Sequence, residues 1–233
     1  GALAYHFGAR RLSFLKSRVM LEVLELLDEQ PSARAACRAA GVPEAEILRS
    51  LRHPHVAALY WYVEADAVAL LAMEAIDGVA LRNLVATAAT TPEAALVTLQ
   101  GSLDALEHAH RAGIVHRDYK PENVLVDRAG SSHLVDFGIA VRTGSREMCA
   151  GTPPYMAPEQ WGGSPATPAT DVYAAAVVLF ECVVGRRPFN APDLEGMRLQ
   201  HASAEPAIDE VPAPLRDLVR RGLAKNPTPR YDS

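Results

Sequence analysis

Cysteine is scarce: the chain has three, Cys37, Cys149 and Cys182. Scattered and odd in number, they offer neither a disulfide framework nor a metal-ligand spacing, and they suit a reducing compartment. A basic excess is also missing. There are 23 Lys and Arg against 28 Asp and Glu, a net charge of −5, which argues against nucleic acid as a partner. Long apolar runs are absent too. The most apolar stretch, "VYAAAVVLF" at 172–180, stops at Glu181, well short of the roughly 20 residues a membrane span needs. No signal-peptide pattern, internal repeat or low-complexity tract is read in the chain. What is present is 233 residues, 49% apolar and 22% charged, enough core for one large domain or two small lobes.

The order of elements separates the two halves. The first ~25 residues mix short apolar runs with arginines and read as strands. "PEAEILRSLRHP" at 43–54 opens with a proline at a first-turn position and sets Ile47, Leu48 and Leu51 on one helical face, which must end before Pro54. "AALYWYVE" and "AVALLAME" read as two strands with a turn at Ala65-Asp66. The second half is mainly helical. Thr91 caps a helix with Pro92 at its first position; Leu96, Leu99, Leu103 and Leu106 form its apolar stripe, and Gly113 closes it. Short strands are expected at 124–126 and 133–135. Further helices are expected from Asp171 to Val184, ended by Gly185, and over 215–227. Strands with one helix, then mostly helices, give an α+β chain in two lobes.

The chemistry concentrates in "HRDYKPENVLVD" at 116–127, a loop leading into a strand, and in "LVDFG" at 134–138. A carboxylate (Asp136) and an amide oxygen (Asn123) can hold Mg²⁺ while leaving positions for phosphate oxygens. A second carboxylate, Asp118, can accept a hydroxyl proton. Phosphoryl transfer asks for little beyond this positioning and charge neutralisation.

These residues resemble a eukaryotic-type (Hanks-type) serine/threonine protein kinase domain of the kind widespread in actinobacteria. His116-Arg117-Asp118 with Asn123 matches H-R-D-x-x-x-x-N, Asp136-Phe137-Gly138 matches D-F-G, and Ala157-Pro158-Glu159 matches A-P-E. The resemblance covers essentially the whole chain. It implies a bilobal kinase fold, with a small strand-rich lobe and hinge over 1–77 and a larger helical lobe over 78–233. It implies ATP and Mg²⁺ as cofactors, with Asn123 and Asp136 as metal ligands. The implied catalytic set is Asp118 as base, Lys120 at the transferring phosphate, Asn123, Asp136, and Thr152 placed to meet Asp118 and Lys120.

Around the nucleotide it implies Gly1, Ala4, Met20, Glu22, Glu44, Met73, Glu74 and Leu125. Within that group Glu44 stands as the helix-C glutamate, Met73 as gatekeeper and 74–77 as hinge. Asp171 is implied to brace the catalytic loop and Arg230 to pair with Glu159. Leu48, Leu59, His116 and Phe137 are implied to stack between the lobes. Thr143 and Ser145 are candidate phosphosites that could pair with Arg117, and Cys149 a candidate redox site; both are also ordinary loop residues. The implied partners are a protein substrate or a regulatory protein. Neither nucleic acid nor membrane contact is expected from this segment. The implied location is cytoplasmic, or the intracellular domain of a longer membrane protein.

The amino-terminal part departs from the family pattern. "GALAYHFGARR" resembles the second half of the glycine-rich loop and the strand after it. "RVMLEVL" then falls where the family has V-A-x-K-V-L, which puts Glu22 at the phosphate lysine and Met20 at the small residue under the adenine, with His6 opposite. A rival register makes Lys16 in "SFLK" the phosphate lysine. In "RAAGVPE", Gly41 and Pro43 stand where helix C begins, so that helix is expected to be short or shifted. Three functions follow. The retained Asp118, Lys120, Asn123 and Asp136 favour a serine/threonine kinase. Glu22, Met20 and His6 favour a pseudokinase acting as a binding or allosteric module. A small-molecule phosphotransferase is weakened by Lys120 and the full "GTPPYMAPE" segment.

Overall fold

The computed structural model describes residues 51–65, 68–86, 89–137 and 151–232. The chain divides into two compact units, one of Gly1–His53 and Ala57–Ile76, the other of Pro54–Val56 and Asp77–Ser233.

In the first unit, β1 (Leu59–Ala65) and β2 (Val68–Met73) form an antiparallel pair. Their β-branched and aromatic residues favour extended backbone. The register runs from Ala65↔Val68 to Leu59↔Met73, with an irregularity between Leu59 and Trp61. Beyond the ladder, Glu74 N donates to Ala58 O (2.8 Å), and the Glu74 carboxylate accepts from Ala58 N (3.1 Å).

The second unit opens with β3 (Gly78–Ala80), followed at once by the short helix α1 (Leu81–Val85). β3 pairs antiparallel with β4 (Val124–Asp127), which pairs with β5 (Ser132–Leu134). Against this small sheet packs α2 (Pro92–Arg111), where Thr91 Oγ1 accepts from Ala94 N (3.2 Å) as the cap. The leucine stripe is only half right: Leu99 and Leu106 are buried, whereas Leu96 and Leu103 are 41% and 38% exposed. The buried arc runs instead through Ala95, Leu99, Ser102, Leu106 and Ala109. Small residues make it because backbone comes close. A Cβ on Gly101 would meet Ser132 O at 2.6 Å and His55 Nδ1 at 2.5 Å.

Three helices follow: α3 (Pro158–Trp161), α4 (Pro168–Val184) and α5 (Leu194–Ser203). α4 is buried around nearly its whole girth, which marks it as the central helix of this unit. It begins before Asp171, at a proline suited to a first turn, and ends on Gly185 in the left-handed conformation (φ 80°). α6 (Arg216–Gly222) lies on it, and a Cβ on Gly222 would sit 2.6 Å from Ala176 Cβ. The helix expected over 215–227 is therefore shorter. Beyond Gly222 the carbonyls of Ala224 and Lys225 turn to the guanidinium of Arg230. Among the described residues no helix is long and apolar enough to cross a membrane.

Candidate active site

The loop 116–120 is held from below by one carboxylate. Asp171, fully buried in the first turn of α4, accepts from His116 N (2.7 Å) and Arg117 N (2.8 Å). The ring of His110, on α2, reaches the same carboxylate at 2.7 Å. A buried charge is tolerated only when its lone pairs are engaged in this way. The two adjacent amides also stabilise Arg117 in its left-handed conformation (φ 70°).

His116 joins this loop to the segment carrying Asp136. Burial lowers its pKa, so the ring is neutral. Its Nδ1 accepts from Asp118 N (3.3 Å), which leaves the proton on Nε2 to donate to Val135 O (3.1 Å). The ring also lies against Phe137, with centroids 4.8 Å apart. Asp136 follows, exposed and with φ 55°. Val135 N donates to Asn123 O (3.0 Å), a second tie between the two segments.

Asp118, Lys120 and Thr152 meet through their side chains. Lys120 Nζ donates to Asp118 Oδ2 (2.5 Å) and to Thr152 Oγ1 (2.7 Å). Asn123 Nδ2 donates to Asp118 O (2.9 Å), which fixes which end of the amide is the oxygen. Among the described residues, the other Asp118 oxygen, Oδ1, is buried without a hydrogen-bond partner. Such an atom is an acceptor awaiting a donor. Gln160 braces the segment carrying Thr152: its Nε2 donates to Arg117 O (2.9 Å) while its Oε1 accepts from Ala157 N (2.8 Å). Glu159 takes both arms of the Arg230 guanidinium (2.7 and 2.9 Å) and the Thr170 hydroxyl (3.0 Å).

Of the nucleotide candidates, Met73 ends β2 and Glu74 follows it in the first unit, while Leu125 lies half-buried on β4, opposite Ala80 and His133. Gly1, Ala4, Met20, Glu22 and Glu44 lie outside the described residues. So do His6, Lys16, Leu48, Gly138, Thr143, Ser145 and Cys149.

Several residues here are not singled out by any local pattern in the sequence. Tyr119, between Asp118 and Lys120, is fully buried. Its hydroxyl lies 2.7 Å from Ser102 Oγ, which itself donates to Leu99 O (2.8 Å), so the tyrosine is the donor. An uncharged residue amid charged ones was the available hint that it points inward. Arg82, on α1, donates to Glu122 Oε1 (2.8 Å), to Glu181 Oε1 (2.8 Å) and to Tyr155 Oη. Burial opposes its charge, but the carboxylates of Glu181 and Glu122 outweigh that and hold it firmly protonated.

Two units, with a braced loop that presents an aspartate, a lysine and an asparagine, define the class. The chain belongs to the protein kinase domain family, whose model matches residues 27–232. Among similar curated proteins are serine/threonine-protein kinase PrkC of Bacillus subtilis (34% identical, over 82% of this chain and 31% of PrkC) and PknD of Mycobacterium tuberculosis (36%, over 94% and 34%). PkaA of Streptomyces coelicolor is 37% identical, over 89% of this chain and 40% of PkaA. The chain therefore spans 31–40% of the length of these relatives.

Proposed function

We propose that this chain is a serine/threonine protein kinase domain that transfers the γ-phosphoryl group of Mg-ATP to a protein hydroxyl. The observation that carries this is the Asp118–Lys120–Thr152 constellation with the unpartnered Asp118 Oδ1. In this reading Oδ1 accepts the substrate hydroxyl, orients its oxygen and takes its proton as the bond to phosphorus forms. Lys120, kept at Asp118 by two acceptors, lies where charge on the transferring group is neutralised. Asn123 and Asp136 would hold Mg²⁺, an oxygen-seeking cation that supplies charge neutralisation at the phosphates. The fixed Asn123 amide and the exposed Asp136 carboxylate fit that donor set.

The division of the chain after Ile76 supports reading 1–77 as the smaller lobe with its hinge and 78–233 as the larger. The relatives' names support a protein hydroxyl as acceptor, and we infer a cytoplasmic setting, either as a free protein or as the intracellular domain of a longer membrane protein. The direct test is transfer of labelled phosphate from ATP to serine- and threonine-containing protein, with Asp118→Asn as control. Transfer that is unchanged in the variant removes Asp118 from the mechanism.

A second reading, a binding module without turnover, rests on Glu22 standing in "RVMLEVL" where the family keeps its phosphate lysine. Calorimetry with Mg-ATP separates the two. On the second reading Glu22→Lys with Met20→Ala binds nucleotide more tightly than the wild type, by about fivefold for each kcal/mol recovered. Equal binding removes the argument from Glu22.

A further inference from the structure

The cluster around Arg82 is a built cation site filled from within the chain. Four segments form it. α1 supplies the guanidinium. Glu122 comes from the turn between Lys120 and Val124, Tyr155 from the turn after Thr152, and Glu181 from α4. Glu181 is only 9% exposed at its side chain, so its charge needs a partner. Among the described residues it has two: Tyr155 Oη donates to Oε2 (2.7 Å), and Arg82 donates to Oε1 (2.8 Å) and Oε2 (3.3 Å). The remaining arm of the fork meets Glu122 (2.8 Å). The carboxylates and the phenol oxygen thus present a set of acceptors matched to one planar guanidinium.

The place of this site matters as much as its chemistry. Glu122 is two residues past Lys120, and Tyr155 three past Thr152. The walls of the site are therefore the segments whose lysine and threonine bond each other beside Asp118. An extended chain advances about 3.3 Å per residue, so a residue within a few positions of a hydroxyl held at Asp118 comes within reach of these walls. The Arg82 side chain is 30% exposed and that of Glu122 45%, so the site opens to solvent.

We propose that Arg82 is a specificity-determining residue. It occupies a guanidinium site at the substrate-facing edge and so relieves the protein substrate of supplying an arginine there. The proposal rests on the kinase reading above for its role in selection, and on the geometry alone for the site.

The experiment uses the full chain and has an arm for each part. In the first, peptides that differ only in arginine or norleucine at one position near the acceptor serine are compared by kcat/KM. The wild type is expected to treat each pair within about twofold. Arg82→Ala is expected to prefer arginine at one position by about tenfold or more, as one charge-assisted hydrogen bond supplies, mainly through KM. Adding Glu181→Gln should abolish the gain. Arg82→Gln, which keeps an amide donor for Glu181, replaces Arg82→Ala if that variant does not fold. A strong arginine preference in the wild type, or no gain in either variant, overturns the proposal.

In the second arm, n-propylguanidinium is added during thermal unfolding. It should raise the Tm of the Arg82 variant and leave the wild type unchanged. No rise overturns the site even where phosphotransfer is seen. A rise with no phosphotransfer by any form upholds the site and overturns its role in substrate selection together with the kinase reading.

Discussion

Arg230 grips Glu159 with two arms, Nη1 to Oε1 at 2.7 Å and Nη2 to Oε2 at 2.9 Å, and the arginine side chain is wholly buried. The same guanidinium donates to the carbonyls of Ala169, Ala224 and Lys225. It thus ties the A-P-E segment to the start of α4 and to the chain beyond α6. Removing one partner of such a pair leaves a buried charge alone, a loss of about 3–5 kcal/mol. For a chain of this size that is a fall in Tm of roughly 10 °C. Arg230→Ala and Glu159→Ala should each show it in thermal unfolding, and the double variant should lose clearly less than the sum. Additive losses would mean that the two charges do not stabilise each other.

Asp118 should behave in the opposite way, with a large effect on activity and a small one on stability. Among the described residues its carboxylate has one oxygen without a hydrogen-bond partner, and the other meets a part-exposed lysine. Asp118→Asn should lower phosphotransfer by about 10²–10⁴-fold and shift stability by no more than about 1 kcal/mol. Activity assays and melts on the same preparation check both. A large fall in Tm would make Asp118 a structural residue.

The parts legible in the sequence were those written within short spans. Asp118, Lys120 and Asn123 lie close together in the chain, and Thr152 belongs to a contiguous segment; the hydrogen bonds joining them are short. The cap of α2 and the stop of α4 were legible for the same reason, since Thr91 and Gly185 act on their own turns, whereas the start of α4 lies at Pro168, ahead of the expected Asp171. The buried face of α2 is less legible, because the small residues Ala95, Ser102 and Ala109 make the contact alongside Leu99 and Leu106. Arg82 was invisible because its partner Glu181 is 99 residues away. A five-residue helix carries no pattern that singles out one arginine. His110 likewise meets Asp171 across 61 residues, and its place on α2 gives no hint of a partner.

Asp171→Asn tests whether one carboxylate sets the loop. Oδ2 accepts from His116 N and faces the His110 ring, and Oδ1 accepts from Arg117 N. An amide has one oxygen, so in either orientation its NH₂ faces a backbone N–H. Losing charge-assisted bonds in a buried site should lower stability by roughly 3–5 kcal/mol, and phosphotransfer should fall with it as Arg117 leaves its left-handed conformation. Asp193→Asn is the control. Among the described residues the Asp193 side chain serves as the cap of α5, accepting from Gly196 N at 2.7 Å, and asparagine caps about as well as aspartate, so its Tm should move little. Equal shifts in the two variants would deny Asp171 its special role.

His201 should give the fold a pH dependence with a definite sign. Its ring is fully buried among Phe189, Tyr173 and Trp161, and Nδ1 pairs with the Tyr173 hydroxyl at 2.9 Å. Burial, helped by the nearby Lys225 and Arg187 cations, lowers its pKa to about 4 from about 6.5 in the unfolded chain. Between these values the unfolded state binds the extra proton, so stability rises with pH. The contribution is whole above about pH 6.5 and is lost as the pH falls towards 4, amounting to at most about 3 kcal/mol. His201→Gln keeps a partner for Tyr173 but cannot take up a proton. From pH 7 to pH 4.5 the wild type should therefore lose several degrees more Tm than this variant, roughly 5–10 °C. Carboxylates titrating in the same range act on both proteins and cancel in the comparison. Parallel melting curves across that range would show that the imidazole takes its proton in the folded state as readily as in the unfolded one.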